Sequence, residues 1–311
     1  MAEQSKPFDP FQHKPDISES SRKLYLFNLS KLNDGKPIKD LKFLKKESIV
    51  PKIENLKPNT RRTYLISMVS ALRGRPESLY KKLYEKFYDL LMSLNKELKD
   101  NTEKSEKVKD NWMDQTTILE RQKELSAVLD DISGKRKLTE GEYNQLLNLV
   151  VLSIYTLQQP RRNRDYTEMR VVRKVNPDAS KNQNYLDVGS WNWIFNAYKT
   201  QKKYSQQVIP VPDELKAILQ VYLKFHPRSK LMKKGGMDEP FLVRYDGTPI
   251  STSPEMTRLL NKVFGKRIGC SMLRSIFLTH KYGDTIKELK NDVAQMGTSS
   301  DTAQNNYIKQ E

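Results

Sequence analysis

Arg274 lies in a sequence context that calls for an anionic partner. It follows Leu273 and precedes Ile276 and Phe277, within an apolar stretch whose spacing predicts a helix. A guanidinium stays charged at any physiological pH, so leaving it unpaired among apolar side chains is costly. The partner that we expect is a carboxylate of the chain or an anionic group of a bound ligand.

Short motifs on both sides of Arg274 occur in an order that is typical of one enzyme family. Ser271-Met272-Leu273-Arg274 is followed by Met296-Gly297-Thr298-Ser299-Ser300-Asp301-Thr302-Ala303, and Tyr307 lies 33 residues after Arg274 (307 − 274). These residues resemble the C-terminal boxes of tyrosine recombinases. In that family His-x-x-Arg precedes Leu/Met-Gly-His-Ser, a Thr-rich helix start and a nucleophilic tyrosine. The resemblance implies Tyr307 as the nucleophile.

Two further elements of the resemblance lie upstream. Arg162 and Asp165 match the first box of the family, an arginine followed three residues later by an acid. Lys199 lies where the family carries a catalytic lysine on a hairpin, although Lys202 and Lys203 are on the same predicted turn and the sequence does not separate the three. The resemblance covers about residues 113–308. The lysine- and asparagine-rich composition and the form of the boxes are similar to those of integrases from mobile elements or large DNA viruses.

The resemblance also implies a role for each side chain in cutting a phosphodiester. Arg162 and Arg274 would donate paired hydrogen bonds to the non-bridging oxygens of the phosphate. Tyr307 would attack and form a covalent phosphotyrosine, and Lys199 would protonate the departing 5′ oxygen. No metal or other cofactor is expected, because the chain has neither a zinc ligand set nor a phosphate-binding glycine loop.

The sequence departs from the family at its histidines. Ser271 and Thr298 occupy the two positions that the family fills with histidine (or, for the second, tryptophan), and Ser275 follows Arg274. Hydroxyl groups donate hydrogen bonds to phosphate but do not hold a proton at neutral pH as imidazole does. His280 lies six residues after Arg274, about 240° further round a helix, and is expected at the surface. We therefore expect slow or partner-dependent cleavage.

Composition favours a polyanionic partner. The formal net charge is +17, the pI is about 9.6, and charged residues make up 30% of the chain. Double-stranded DNA is the expected partner, and no membrane is expected. The chain has a single cysteine, and its N-terminus lacks the basic-then-apolar order of a secretory signal. These two features predict an intracellular protein, in the cytoplasm or a host nucleus. The expected DNA contacts are Arg161, Arg164, Lys202, Lys203, Arg61 and Arg62.

The predicted fold class is mostly α with a small antiparallel sheet, in two domains. Residues 1–18 are predicted as a flexible tail, 19–108 as a helical core-binding domain with a polar linker (99–111) at its end, and 109–311 as the catalytic domain. In the first domain, Asn59 or Thr60 is the expected N-cap of one helix, and apolar spacing predicts an amphipathic helix over 77–98.

In the catalytic domain, apolar periodicity predicts two helices, then short β-rich runs, then further helices. The predicted strands are 169–172, 185–188, 191–195 and 207–210. The predicted helices are 113–131, 138–157, 213–225, 254–264, 271–281, 285–296 and 300–308.

Three functions fit these observations. The first is a recombinase or integrase acting as a homotetramer on paired DNA sites. The second is a DNA-binding protein that kept the fold and lost catalysis, which the serine and threonine replacements favour. The third is a monomeric type IB topoisomerase, against which the Met-Gly-x-Ser box argues.

Overall fold

The structure is a computed structural model that describes residues 8–100, 105–175, 181–230 and 238–308. The chain divides into two compact units, Met1–Lys104 and Ser105–Glu311. The division falls within the polar segment 99–111. Within the described residues the fold is mostly helical, with one five-stranded sheet in the second unit, which confirms the predicted mostly-α class.

The first unit is built from helices that pack around α3. Its helices are α1 (Glu19–Leu32), α2 (Ile49–Glu54), α3 (Pro58–Leu72) and α4 (Ser78–Asp100), with a 3-10 turn at Lys42–Lys45. Helix α3 contacts both α1 and α4, and Leu29, Met68 and Phe87 are fully or almost fully buried between them. These side chains form the core of the unit.

Two predictions for the first unit are wrong. Helix α3 begins at Pro58 with Lys57 at the N-cap, not at Asn59 or Thr60. Proline suits the first helical position because its fixed φ is helical and the N–H it lacks would have no partner there. The predicted tail is also packed over its described part, residues 8–18, where Phe11 is completely buried in the core of this unit. Residues 1–7 lie outside the described residues.

The second unit is centred on helix α8, which is buried along most of its length. Its helices are α5 (Glu106–Asn111), α6 (Gln115–Ser126), α7 (Val128–Ile132), α8 (Glu140–Thr156), α9 (Arg164–Thr167), α10 (Gln201–Tyr204), α11 (Asp213–Phe225), α12 (Ser253–Phe264), α13 (Cys270–Gln295) and α14 (Ser300–Thr302). A π-helical turn follows at Ala303–Tyr307. Thr139 and Glu142 form a capping box that fixes the start of α8.

The sheet of the second unit is mixed, not antiparallel as predicted. Its strands are β1 (Arg170–Val172), β2 (Tyr185–Asp187), β3 (Asn192–Phe195), β4 (Gln207–Pro210) and β5 (Asp238–Pro240), in the order β4-β3-β2-β1-β5. Strands β1 and β2 are parallel, with Val171 opposite Leu186, and the other pairs are antiparallel. The connection 173–184 is long enough for the chain to cross over. Strand β5 was not predicted, because Asp-Glu-Pro has low β-propensity and pairs only at the edge.

Helix α13 is a second departure from the predicted elements. The chain between 270 and 295 forms one helix instead of the two predicted at 271–281 and 285–296. Gly283 lies between the two predicted ranges, but a glycine costs a helix only about 1 kcal/mol relative to alanine and does not break it. Helix α13 therefore runs without interruption from Ser271 almost to Thr298.

Candidate active site

The first site segment is the turn from Arg161 to Asp165, which leads into α9. Asp165 is 3% exposed, and its Oδ2 accepts a hydrogen bond of 2.9 Å from Arg161 Nε. Burial raises the pKa of the Asp165 carboxyl, and the positive charge of Arg161 opposes that shift. Asp165 Oδ1 is buried without a hydrogen-bond partner among the described residues. The carboxylate thus pairs with Arg161, and Arg162 is left half-buried beside it.

Arg161 joins this segment to the strands. Its guanidinium carbon lies 3.7 Å from the centroid of the Phe195 ring and 5.1 Å from that of Tyr198, and Nη1 donates to Gln207 Oε1 at 2.8 Å. Only 17% of its side chain is exposed. Arg161 was expected to contact DNA, but the structure gives its guanidinium an internal role, because a carboxylate, an amide and two rings already surround it.

Asn163 joins the same segment to the helices. This 4%-exposed amide accepts a hydrogen bond from the Tyr155 hydroxyl (2.7 Å) and donates to Ser253 O (2.9 Å) and Thr257 Oγ1 (3.0 Å). Thr257 in turn lies against Gly269, where a Cβ would meet Thr257 Cγ2 at 3.6 Å. Gly269 is the N-cap of α13, so the Arg162 segment and the start of the Ser271–Arg274 helix are linked through Thr257.

The first turns of α13 form one wall of a groove of about 390 Å³. Ser271 and Ser275 line it, and its other lining residues include Thr257, Val108 and Trp112. Arg274 is half-buried, and Leu273 and Ile276 beside it are buried. Among the described residues, no hydrogen bond or ion pair is formed by the side chain of Arg274 or of Arg162. Both cations are available to an anion from outside the chain.

The predicted lysines lie on the connection between β3 and β4. Lys199, Lys202 and Lys203 are all exposed. Lys199 directly follows Tyr198, whose ring is close to Arg161. Asn184 anchors the start of this connection with four hydrogen bonds: its Nδ2 donates to Asp165 O and Ala197 O, and its Oδ1 accepts from the backbone N–H groups of Asn196 and Ala197, at 2.7 to 3.0 Å. The connection and the first box are therefore held together.

Tyr307 and Thr298 lie beyond the end of α13. Thr298 N donates to Val293 O at 2.8 Å, and Gly297 takes a φ of +67°, a left-handed conformation that ends the helix. Tyr307 ends the π-helical turn and is 61% exposed. Within the described part of the chain, no hydrogen bond or ring contact joins Tyr307 or Thr298 to Arg162 or Arg274. Contacts through Asn184, Asn163 and Thr257 therefore link the segments of three of the four predicted elements, and no such contact links Tyr307 to them among the described residues.

The remaining predicted residues are at the surface or paired within the first unit. Arg164 is exposed, and so is His280, as its position on the helix predicted. In the first unit, Arg61 Nη2 lies 3.6 Å from Glu97 Oε2, and Arg62 Nε donates to Asn95 Oδ1 at 2.5 Å. Both arginines of α3 are therefore engaged with α4.

Comparison with known proteins identifies no family for this chain. No family model matches the sequence, and a search of curated proteins gives no significant match. What the chain does is therefore inferred from its own residues and their geometry.

The described residues contain no group of three or more histidine, cysteine, aspartate or glutamate side chains that could hold a metal ion. In the same part of the chain, no helix has the length and apolar character needed to cross a membrane. The polar residues that organise the site, Asn163 and Asn184, carried no signal in the sequence. An asparagine in a loop usually belongs to a turn. These two asparagines are buried and bridge separate segments only because distant parts of the chain pack around them.

Proposed function

We propose that the chain is a tyrosine recombinase that cuts and rejoins DNA through a covalent 3′-phosphotyrosine intermediate. One observation carries the proposal. The Arg161–Asp165 segment is bonded to β4 and, through Asn184, to the lysine-bearing connection. On its other side it is linked through Asn163 and Thr257 to the start of the Arg274 helix. Motifs separated by over a hundred residues are thus connected, and among the described residues the side chains of Arg162 and Arg274 form no ion pair.

Each side chain has a distinct part in the proposed reaction. Arg162 and Arg274 bind the non-bridging oxygens of the scissile phosphate and stabilise the charge that builds up there. The Tyr307 hydroxyl gives its proton to solvent water, and its oxygen bonds to phosphorus as the bond from phosphorus to the 5′ oxygen breaks. Lys199 protonates that leaving oxygen. Ser271 and Thr298 supply hydroxyl donors where the family has imidazoles, and Asp165 positions the first box through Arg161.

The proposed partner is double-stranded DNA, bound by a homotetramer at paired sites, in whichever compartment holds that DNA. Tyr307 is exposed and free of contacts with the arginines in the isolated chain. DNA and neighbouring protomers are therefore proposed to bring it into place.

A nicked DNA substrate that traps the covalent intermediate tests the proposal. Wild type is expected to form a protein–DNA adduct, and Tyr307→Phe is expected to form none while binding DNA equally well. Tyr282→Phe is the matched control, because Tyr282 is also an exposed tyrosine, on α13. An adduct that persists in Tyr307→Phe would rule out this nucleophile.

A second candidate is a DNA-binding protein that has the recombinase fold without its catalysis. The observation that favours it is the pair of replacements Ser271 and Thr298, together with the exposed position of Tyr307. Duplex binding with no adduct on any cognate site would select this alternative.

A further inference from the structure

A wide cleft on the second unit carries a concentrated positive charge. It has a volume of about 750 Å³ and lies between helix α5 and the turn that joins α12 to α13. Lys107, Lys262, Lys266 and Arg267 line it, against one acidic residue, Asp110. All four cations are exposed, and among the described residues none of them is in an ion pair. We refer to these four as the basic cleft.

The loop that carries part of the basic cleft is held by contacts that do not use its cationic groups. Asn111 Oδ1 accepts a hydrogen bond of 2.8 Å from Arg267 N, which ties α5 to the turn. Gly265 ends α12 with a φ of +62°, and the fully buried Ile268 anchors the far side of the turn. Lys266 and Arg267 therefore project from a fixed loop.

The basic cleft borders the groove at Ser271. Helix α5 contributes Lys107 and Asp110 to the cleft and Val108 to the groove, and Arg267 precedes Ser271 by four residues. An extended anion lying in the cleft would continue toward the start of α13, where Arg274 lies.

We propose that the basic cleft binds the sugar–phosphate backbone of double-stranded DNA beside the scissile phosphate. The inference rests on the proposed function and adds a contact surface to it. Every side chain lining the cleft is polar, apart from Gly265, so the cleft offers no apolar pocket to anchor an acidic peptide. Lysine, arginine and asparagine side chains are the usual donors to phosphate oxygens.

The test compares two variants of equal charge, Lys266→Gln/Arg267→Gln in the cleft and Lys287→Gln/Lys290→Gln on exposed positions of α13. Duplex affinity is measured over a range of salt concentrations, and adduct formation is measured at saturating DNA. Each lost phosphate contact makes the negative slope of log K against log salt less steep by about 0.9. In the cleft variant we expect the slope to become less steep by about 2 and the affinity to fall at least tenfold. In the α13 variant we expect the slope and the affinity to stay unchanged.

Three other outcomes would overturn the inference, each in a distinct way. Equal losses in both variants would mean that net charge alone is responsible, and no loss in the cleft variant would place DNA elsewhere. Wild type that is bound by polyglutamate but not by duplex DNA would indicate an acidic protein partner. Wild type that binds DNA through the cleft without forming an adduct contradicts only the proposed catalysis, so the two failures are distinguishable.

Discussion

Asn163 and Asn184 are buried amides that each connect separate segments of the chain. Asn163 joins α8 and α12 to the turn before α9, and Asn184 joins α9 to the connection after β3. Asn184 uses both of its N–H donors and both lone pairs of its oxygen. Removing such a side chain leaves several backbone groups buried without partners.

Replacing Asn184 with alanine is expected to destabilise the second unit by about 2–4 kcal/mol, because each unsatisfied buried polar group costs about 1–3 kcal/mol. Urea unfolding followed by tryptophan fluorescence measures this, since Trp112, Trp191 and Trp193 all belong to that unit. Asn192→Ala is the control, because Asn192 makes one exposed side-chain hydrogen bond, to Ser190. Equal losses in the two variants would contradict the connecting role.

The Arg161–Asp165 pair leads to a second prediction at this scale. Arg161→Met removes the partner of a carboxylate that is 3% exposed, and breaking a buried pair from one side costs about 3–5 kcal/mol. The same fluorescence assay should show little change for Lys109→Met, whose partner Glu106 is at the surface. A small effect of Arg161→Met would mean that Asp165 is not held by this contact.

At the scale of elements, the continuity of α13 determines how Arg274 and Thr298 are spaced. The helix separates the box at its start from the box at its end by a rigid length, about 1.5 Å per residue. Gly283 is the weakest point of that helix, since glycine has the most backbone freedom to lose on folding.

Gly283→Ala is expected to stabilise the second unit by up to about 1 kcal/mol, because a Cβ there would lie 3.6 Å from Thr279 Cγ2, an ordinary contact. Gly265→Ala should instead destabilise, by about 1 kcal/mol, because its φ of +62° disfavours a side chain. Urea midpoints of the two variants measure both effects. Destabilisation by Gly283→Ala would show that the helix is interrupted at that residue.

At the scale of the whole molecule, stability depends on pH through a buried group of the second unit whose protonation disfavours the folded state. His226 is 1% exposed, and burial lowers its pKa to about 4, below the ordinary value of 6.5. The unfolded chain therefore takes up a proton first as the pH falls. The contribution of neutral His226 is complete above about pH 6.5 and is lost progressively toward pH 4.

Wild type should consequently lose up to about 3 kcal/mol between pH 7 and pH 4 through this residue, on top of losses from other groups. His226→Gln should flatten this part of the stability profile. Urea unfolding at a series of pH values measures the difference. Parallel profiles for wild type and His226→Gln would show that His226 does not titrate with folding.

The sequence by itself determined where several of the helices lie and the order of the motifs. Helix α11 occupies the predicted range 213–225, and α8 and α12 begin and end within two residues of their predicted bounds. Helical periodicity, capping residues and prolines act over a few neighbouring residues. A helix that depends on them can therefore be recognised in a short stretch of sequence. Residue spacing likewise placed the motifs of Arg162, Lys199, Arg274 and Tyr307 in order.

Only the tertiary structure decided which side chains meet. Arg161, not Arg162, takes the buried carboxylate, because the turn before α9 directs it toward Asp165 and Phe195. The parallel pairing of β1 with β2 and the hydrogen bonds of Asn163 and Asn184 depend on segments brought together by the burial of α8. Such contacts are non-local, and their free energy comes from burying the whole unit, which no short stretch of sequence encodes.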